Sequence, residues 1–172
     1  MIVCRTPRLV LRWLEAGDAD FIAELLNDPA WIEYIGDKNI RTLDDARNYI
    51  ANGPVAMYAK RGFGLNVVEL ADGGARIGMC GLIKRDSLDD VDLGFAFLPA
   101  WRGMGYAHEA ALATLQHGER TFGLPRVAAI TSPANVPSIR LLESLGFAFV
   151  RTTRLTPGDP GTNFYLRETP AA

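Results

Sequence analysis

The sequence predicts an α+β fold, with a mixed, mostly antiparallel sheet of about seven strands flanked by about four helices. Three observations predict it. Strand-like segments joined by short turns fill the middle of the chain, which means antiparallel hairpins. Two helix-length amphipathic segments each stand between strands in the second half, which means crossover connections. Two shorter helical segments precede the hairpins. The resulting order, β-α-α-β-β-β-α-β-α-β-β, is that of a mixed sheet and not of a doubly wound one.

Arg8 to Leu14 alternates weakly and reads as the first strand. Asp18 caps a helix through about Leu26, whose buried side is Ala19, Ile22, Ala23, Leu25 and Leu26, and Pro29 ends it. Trp31 to Gly36 is an aromatic-rich connector. Thr42-Leu-Asp-Asp45 resembles a capping box with Asp in place of Glu, and it opens a helix to about Ala51 that Asn52-Gly53-Pro54 closes. Phe63 to Leu70 and Arg76 to Lys84 are strands around the Asp72-Gly73-Gly74 turn. Val91 to Leu98 is the next strand. Tyr106 to Phe122 is the longest helix, with Ala110, Ala111, Ala113, Leu115 and Phe122 on its apolar face, and Gly123-Leu-Pro125 stops it. Val127 to Thr131 is a short buried strand. Asn135 caps a helix through Leu145, and Gly146 is its C-terminal residue. Phe147 to Arg154 and Phe164 to Arg167 are a closing pair of strands.

The 172 residues suit one domain, 1–172, with a single sizeable core. A net charge of -2 with scattered arginines gives no nucleic-acid footprint. Cys4 and Cys80 are too few and too far apart for a disulfide framework, and Cys80 lies in the apolar run Ile77 to Ile83 as a small buried hydrophobe. His108 and His117 lack the spacing of metal ligands, so no metal is expected. No apolar stretch is long enough to span a membrane and no signal-peptide core is present, so the expected compartment is the cytoplasm.

The segment Val91 to Ala110 carries the chemistry. A strand runs through Pro99 into Arg102-Gly103-Met104-Gly105-Tyr106-Ala107, and a helix follows. Glycines let a ligand approach the backbone, the first helical turn offers free N–H groups, and the helix dipole favours negative charge there. Arg102 adds a positive charge. A phosphate-bearing cofactor is implied. A Walker A loop is absent. A dinucleotide fingerprint would need a third glycine early in a βαβ unit, whereas here Gly105 is followed by Ala107 and stands past mid-chain after a run of hairpins.

Two segments together suggest another cofactor. Arg102-x-x-Gly105-x-Ala107 and Asn135-x-x-Ser138-Ile-x-x-Leu142-x-x-Leu145-Gly146-Phe147 resemble, in order and separation, two motifs of the GNAT superfamily of acyl-CoA N-acyltransferases. Thr6 to Arg12 and Arg76 to Leu82 are similar to the branch that includes ribosomal-protein N-terminal acetyltransferases. The resemblance covers about Arg5 to Leu166. It implies a GNAT-type fold and acetyl-CoA as co-substrate, its pyrophosphate on the backbone of Arg102, Gly103, Met104, Gly105, Tyr106 and Ala107. It also implies that the pantetheine arm lies along Phe95-Ala96-Phe97, in a splay between this strand and Val127 to Thr131, within reach of Asn135 and Ser138. Phe95 and Phe97 also read as core side chains, and Asn135 as a helix cap.

The implied reaction is acetyl transfer to a primary amine by direct attack in a ternary complex, the acceptor being a protein N-terminus or a small amine. The family's tyrosine acid is replaced by Leu142, which leaves Ser138 as acid or as a mere helix-end residue. Asp92 is the first candidate base, or else a solvated edge residue. Glu109 is the second, or else a structural hydrogen-bonding group. His108 reads as solvent-facing, and water alone could carry the proton. Trp31, Tyr34 and Tyr58 are candidate walls for the acceptor, or core. The remaining alternative is a catalytically inactive acyl-CoA-binding module. Monomer and homodimer are both compatible with the sequence.

Overall fold

A computed structural model describes residues 1–170. Among these residues one eight-stranded sheet carries six α-helices, where the sequence reading expected seven strands and four helices. The strands are β1 (Ile2–Arg5), β2 (Leu9–Trp13), β3 (Leu65–Leu70), β4 (Arg76–Ile83), β5 (Asp92–Phe97), β6 (Arg126–Thr131), β7 (Ala148–Thr153) and β8 (Thr162–Glu168). They lie in the order β1-β2-β3-β4-β5-β6-β8-β7. The extra strand is β1, a short edge strand too mixed in its side chains to show a period.

The helices are α1 (Ala19–Leu26), α2 (Pro29–Tyr34), α3 (Leu43–Ile50), α4 (Ala56–Arg61), α5 (Tyr106–Phe122) and α6 (Val136–Ser144). Two differ from expectation. Pro29 opens α2 instead of merely ending α1. Its missing N–H costs nothing at a first helical position, and the Asp28 carboxylate accepts from the N–H groups of Ala30 (3.2 Å) and Trp31 (3.4 Å). Trp31 to Tyr34 is therefore helix and not connector. Nor does Asn52-Gly53-Pro54 close α3. A π-helical turn over Ala51–Val55 widens the backbone, accommodates Pro54 and passes the chain into α4. The capping box at the start of α3 forms as expected: Thr42 Oγ1 accepts from Asp45 N–H (3.1 Å), and the Asp45 carboxylate accepts from Thr42 N–H (2.8 Å).

Strand side chains alternate between two cores because successive residues point to opposite faces. Val68 and Cys80 face a cluster with Ala110, Ala111 and Leu115 of α5 and Leu142 of α6. Val67 and Met79 face a second cluster with Ile22 and Leu25 of α1 and Ala46 and Ile50 of α3. The sheet is thus covered on both faces, which explains why β4 is buried almost throughout. Cys80 belongs to the first core. Its Sγ lies 3.4 Å from Thr114 Oγ1, and burial pushes its thiol up to about 12.

All neighbouring strands pair antiparallel except β5 and β6. That parallel pair holds only at its start, where Asp92 stands opposite Ala128 and the Ala128 N–H donates to the Val91 carbonyl (2.8 Å). Beyond this point the strands diverge. The remaining peptide groups of Phe95 to Phe97 on that side have no strand to pair with, so the edge lies open inside the sheet.

Candidate active site

A cavity of about 330 Å³ opens beside the part of β5 that β6 does not pair with, and no residue of the expected Val127 to Thr131 wall lines it. Four segments wall it. The first is Phe95, Ala96 and Phe97 of β5. The second is the turn into α5, with Arg102, Gly103, Gly105, Tyr106, Ala107 and His108. The third is the start of α6, with Asn135, Pro137, Ser138 and Leu141. The fourth comes from α1 and α2, with Leu25, Asp28, Ala30, Trp31, Tyr34 and Ile35. The structure thus brings together twelve residues singled out in the sequence from three separate stretches.

The turn is built by glycine. Gly103 (φ 74°) and Gly105 (φ 80°) both sit in the left-handed region, where a side chain is strained. Gly105 is the N-cap of α5 and has no side chain to satisfy the first turn. The first backbone bond of the helix runs from Glu109 N–H to the Gly105 carbonyl (3.1 Å). The N–H groups of Tyr106, Ala107 and His108 therefore have no intrahelical acceptor. They form a ready anion cradle at the positive end of a 17-residue helix.

Arg102 does not supply the free charge expected of it. Its Nε–H donates to the Phe97 carbonyl (2.9 Å) and its Nη2–H to Asp28 (2.7 Å). It ties the end of β5 to the cap of α2. The cation over the turn is Arg8, from the loop before β2. Its guanidinium stacks 4.5 Å from the Tyr106 ring centre and donates to the Met104 carbonyl (3.0 Å). Met104 itself is half exposed and its side chain stands outside the cavity. Asp28→Ala removes both the cap of α2 and the partner of Arg102, and should cost about 2 kcal/mol. Asp28→Asn keeps the cap and should recover about half of that in denaturant unfolding.

Glu109 is structural. Its carboxylate accepts from Thr6 Oγ1–H (2.6 Å), Arg8 N–H (3.0 Å) and Arg8 Nε–H (2.6 Å). Burial raises its pKa, but these bonds outweigh burial and hold the carboxyl below its ordinary value.

Besides Met104, two expected site residues stand away from the cavity wall. Asp92 is fully buried at the one point where β5 and β6 pair, and it lines no part of the cavity wall. Both its oxygens accept from Arg85 Nε–H (3.2 and 3.1 Å), so it is not the solvated edge residue. It is half of a buried ion pair. Burial pushes its carboxyl up, and the Arg85 charge only partly offsets this. The folded state therefore holds this proton more tightly than the unfolded chain, and stability falls as pH rises from the ordinary carboxylate range through the raised value. Arg85→Ala strips the opposing charge. It should cost about 2 kcal/mol at neutral pH, and less near pH 4, by denaturant unfolding; the partial exposure of Arg85 keeps this below the loss for a fully buried pair.

Tyr58 is core. Its ring stacks on Trp13 (centres 4.5 Å apart, planes 7°), and its hydroxyl accepts from Leu14 N–H (3.0 Å) and donates to the Leu65 carbonyl. Trp31 and Tyr34 do line the cavity. Leu142 is 1% exposed and faces the core, so no acid stands there. Asn135 Oδ1 caps α6 by accepting from Ser138 N–H (3.3 Å). The Ser138 hydroxyl has no partner among the described residues, so it is not consumed by the helix end. His108, read as solvent-facing, is on the cavity wall.

Asp28, Arg8 and Leu141 escaped the sequence reading. Asp28-Pro29 is an N-cap followed by a first-position proline, a signal that was present but read as a stop. Nothing local marks Arg8 or Leu141.

With this splayed sheet and its glycine turn feeding a helix, the chain belongs to the GNAT acetyltransferases. The family model "Acetyltransferase (GNAT) domain" matches residues 8–148. The chain is 32% identical over 157 residues to the uncharacterized protein YkkB of Bacillus subtilis, covering 87% of each. An acetyltransferase structure from Agrobacterium tumefaciens superposes with a TM-score of 0.80 at 26% identity, covering 96% of this chain and 94% of that one. The ribosomal L7/L12 alpha-N-protein acetyltransferase RimL, solved in complex with coenzyme A, has the same fold, with a TM-score of 0.82 at 15% identity and 98% of each chain covered. Among the described residues no helix is long and apolar enough to cross a membrane, and no group of three or more His, Cys, Asp or Glu is placed to hold a metal ion.

Proposed function

We propose that the protein transfers the acetyl group of acetyl-CoA to a primary amine, by direct attack with both substrates bound. The observation that carries this reading is the free N–H cradle of Tyr106 to His108, on the wall of a cavity shared with Phe95 to Phe97, whose edge no strand covers. The cradle fits a pyrophosphate, and the open strand edge fits an amide-bearing arm laid alongside it. That the fold neighbour RimL holds coenzyme A supports the same reading.

In this reading the chain's own residues do little covalent work. Backbone N–H groups bind the phosphates. Asn135 and Ser138 line the cavity, where the Ser138 hydroxyl passes a proton to the departing sulfur and takes one back from water, which receives the proton that the amine loses. With Asp92 sealed beneath Arg85, the amine proton leaves through water, and His108 is the imidazole on the wall. The acceptor is a peptide N-terminus or a small amine.

The test is free-thiol release from acetyl-CoA against a mixed panel of amines, amino acids and short peptides. Release that depends on one acceptor class, with intersecting double-reciprocal plots, supports the reading. An acetylated enzyme on Cys4 or Cys80 would contradict direct attack. The second reading, an acyl-CoA-binding module without turnover, is favoured by the buried Leu142 and the sealed Asp92. It predicts a melting temperature raised by acetyl-CoA with no release for any acceptor.

A further inference from the structure

One side chain on the cavity wall bears further on the cofactor, given the acetyl-transfer reading above. His108 lies in the first turn of α5, beside the free N–H groups, and is half-buried on that wall. Helix spacing shows which way its ring points. Leu112, Leu115 and Glu119 follow it at helical intervals and share its flank of α5. On this flank Glu119 accepts from Arg167 of β8, and Arg167 also donates to the Leu145 carbonyl at the end of α6. The flank therefore looks towards α6, whose Asn135, Pro137, Ser138 and Leu141 form the facing wall. Neither ring nitrogen of His108 has a partner among the described residues.

The other charges around the cavity are spent. Asp28 and Arg102 line it and pair with each other. The remaining ionisable groups on the wall, Tyr34 and Tyr106, are phenols, and β5 and α6 contribute no charged residue to it. Glu109 and its partner Arg8 stand on the flank of Tyr106, and neither lines the cavity. An imidazole ordinarily changes charge between about pH 5 and 8, and an anion beside it favours the charged form.

We infer that the His108 ring holds the cofactor's diphosphate together with the N–H groups of Tyr106 to His108, and that binding the diphosphate draws a proton onto this ring. The charged ring holds the diphosphate more tightly than the neutral one. Affinity is therefore greatest at a pH where the free ring is already charged, and it falls as pH rises through the range in which the bound ring loses its proton.

The test uses the whole protein and dephospho-coenzyme A. This probe keeps the diphosphate but lacks the ribose phosphomonoester, which itself changes charge near about pH 6. Calorimetry should show binding about tenfold tighter at about pH 5.5 than at about pH 8. His108→Gln keeps a hydrogen-bond donor and a good helix former, and should bring the two affinities within about twofold of each other. By NMR at neutral pH, saturation should move the His108 ring signals towards those of an imidazolium. The signals of His117, which packs against Phe122 at the other end of α5, should stay in place. An undiminished pH dependence in His108→Gln, unmoved His108 signals in the saturated complex, or binding of coenzyme A without binding of dephospho-coenzyme A would each overturn the inference and leave the cofactor site standing. Failure of coenzyme A to bind at any pH would instead defeat the acetyl-transfer reading, and this inference with it. The NMR comparison of the two histidines in the unaltered protein stands even if His108→Gln does not fold.

Discussion

Gly105→Val is expected to weaken acetyl-CoA binding by about two orders of magnitude while costing the fold only about 1–2 kcal/mol. The stability cost is backbone strain, since Gly105 sits at φ 80° and valine is β-branched. Packing adds little, because a Cβ at this position meets only Arg8 Nη2 at 3.3 Å, the far end of a flexible side chain. The binding cost is larger for two reasons. The valine stands where the phosphates approach, and its strain turns the N–H groups of Tyr106 to His108 away from a common point. Hydrogen bonds to a charged acceptor contribute about 1.5–3 kcal/mol each, so misdirecting even two accounts for the loss. Calorimetric titration with acetyl-CoA, beside a melting curve, checks both halves. Retained affinity would mean that the phosphates lie elsewhere.

Ser138→Ala should lower kcat about a hundredfold and leave the acetyl-CoA dissociation constant within about twofold. The cap of α6 survives the change, because it runs from Ser138 N–H to Asn135 Oδ1 and needs no hydroxyl. Stability should hardly move, since the hydroxyl has no partner to lose. Within α6 no neighbour replaces it as acid, because Leu142 is in the core and Leu141 on the wall is apolar. Steady-state kinetics with a competent acceptor decides it, and unchanged turnover would make Ser138 a residue of the helix end only.

The contrast between Ser138 and Asp92 shows what the sequence could convey. The glycine turn, both ends of α5, the Thr42–Asp45 box and the Asn135 cap were legible because each depends on residues within a few positions. Ser138 came from the resemblance of its segment to a family motif, with the helix end as the alternative. Asp92 read as a base or a solvated edge residue, because its partner comes from the β4–β5 loop and only the fold shows that Arg85 closes over it. Glu109 depends on Thr6 and Arg8, about a hundred positions away, and Arg102 on Asp28, 74 positions away. No local pattern encodes pairings at that range. Tyr58 was misplaced for a related reason. The π-helical turn around Pro54 leads into α4 and turns that ring onto Trp13, and prolines in helical sequence more often mark an end than a widened turn.

The central claim is that the α5 turn and the open edge of β5 hold the phosphates and arm of coenzyme A. The most direct test is backbone amide NMR of the labelled protein during titration with coenzyme A. The account predicts the largest shifts at the N–H groups of Gly103, Gly105, Tyr106, Ala107 and His108. Smaller shifts should follow at Phe95 to Phe97, Asn135 and Ser138, with Asp92 and Tyr58 little moved. Saturable binding that leaves the turn amides unshifted, or no binding at all, would contradict it.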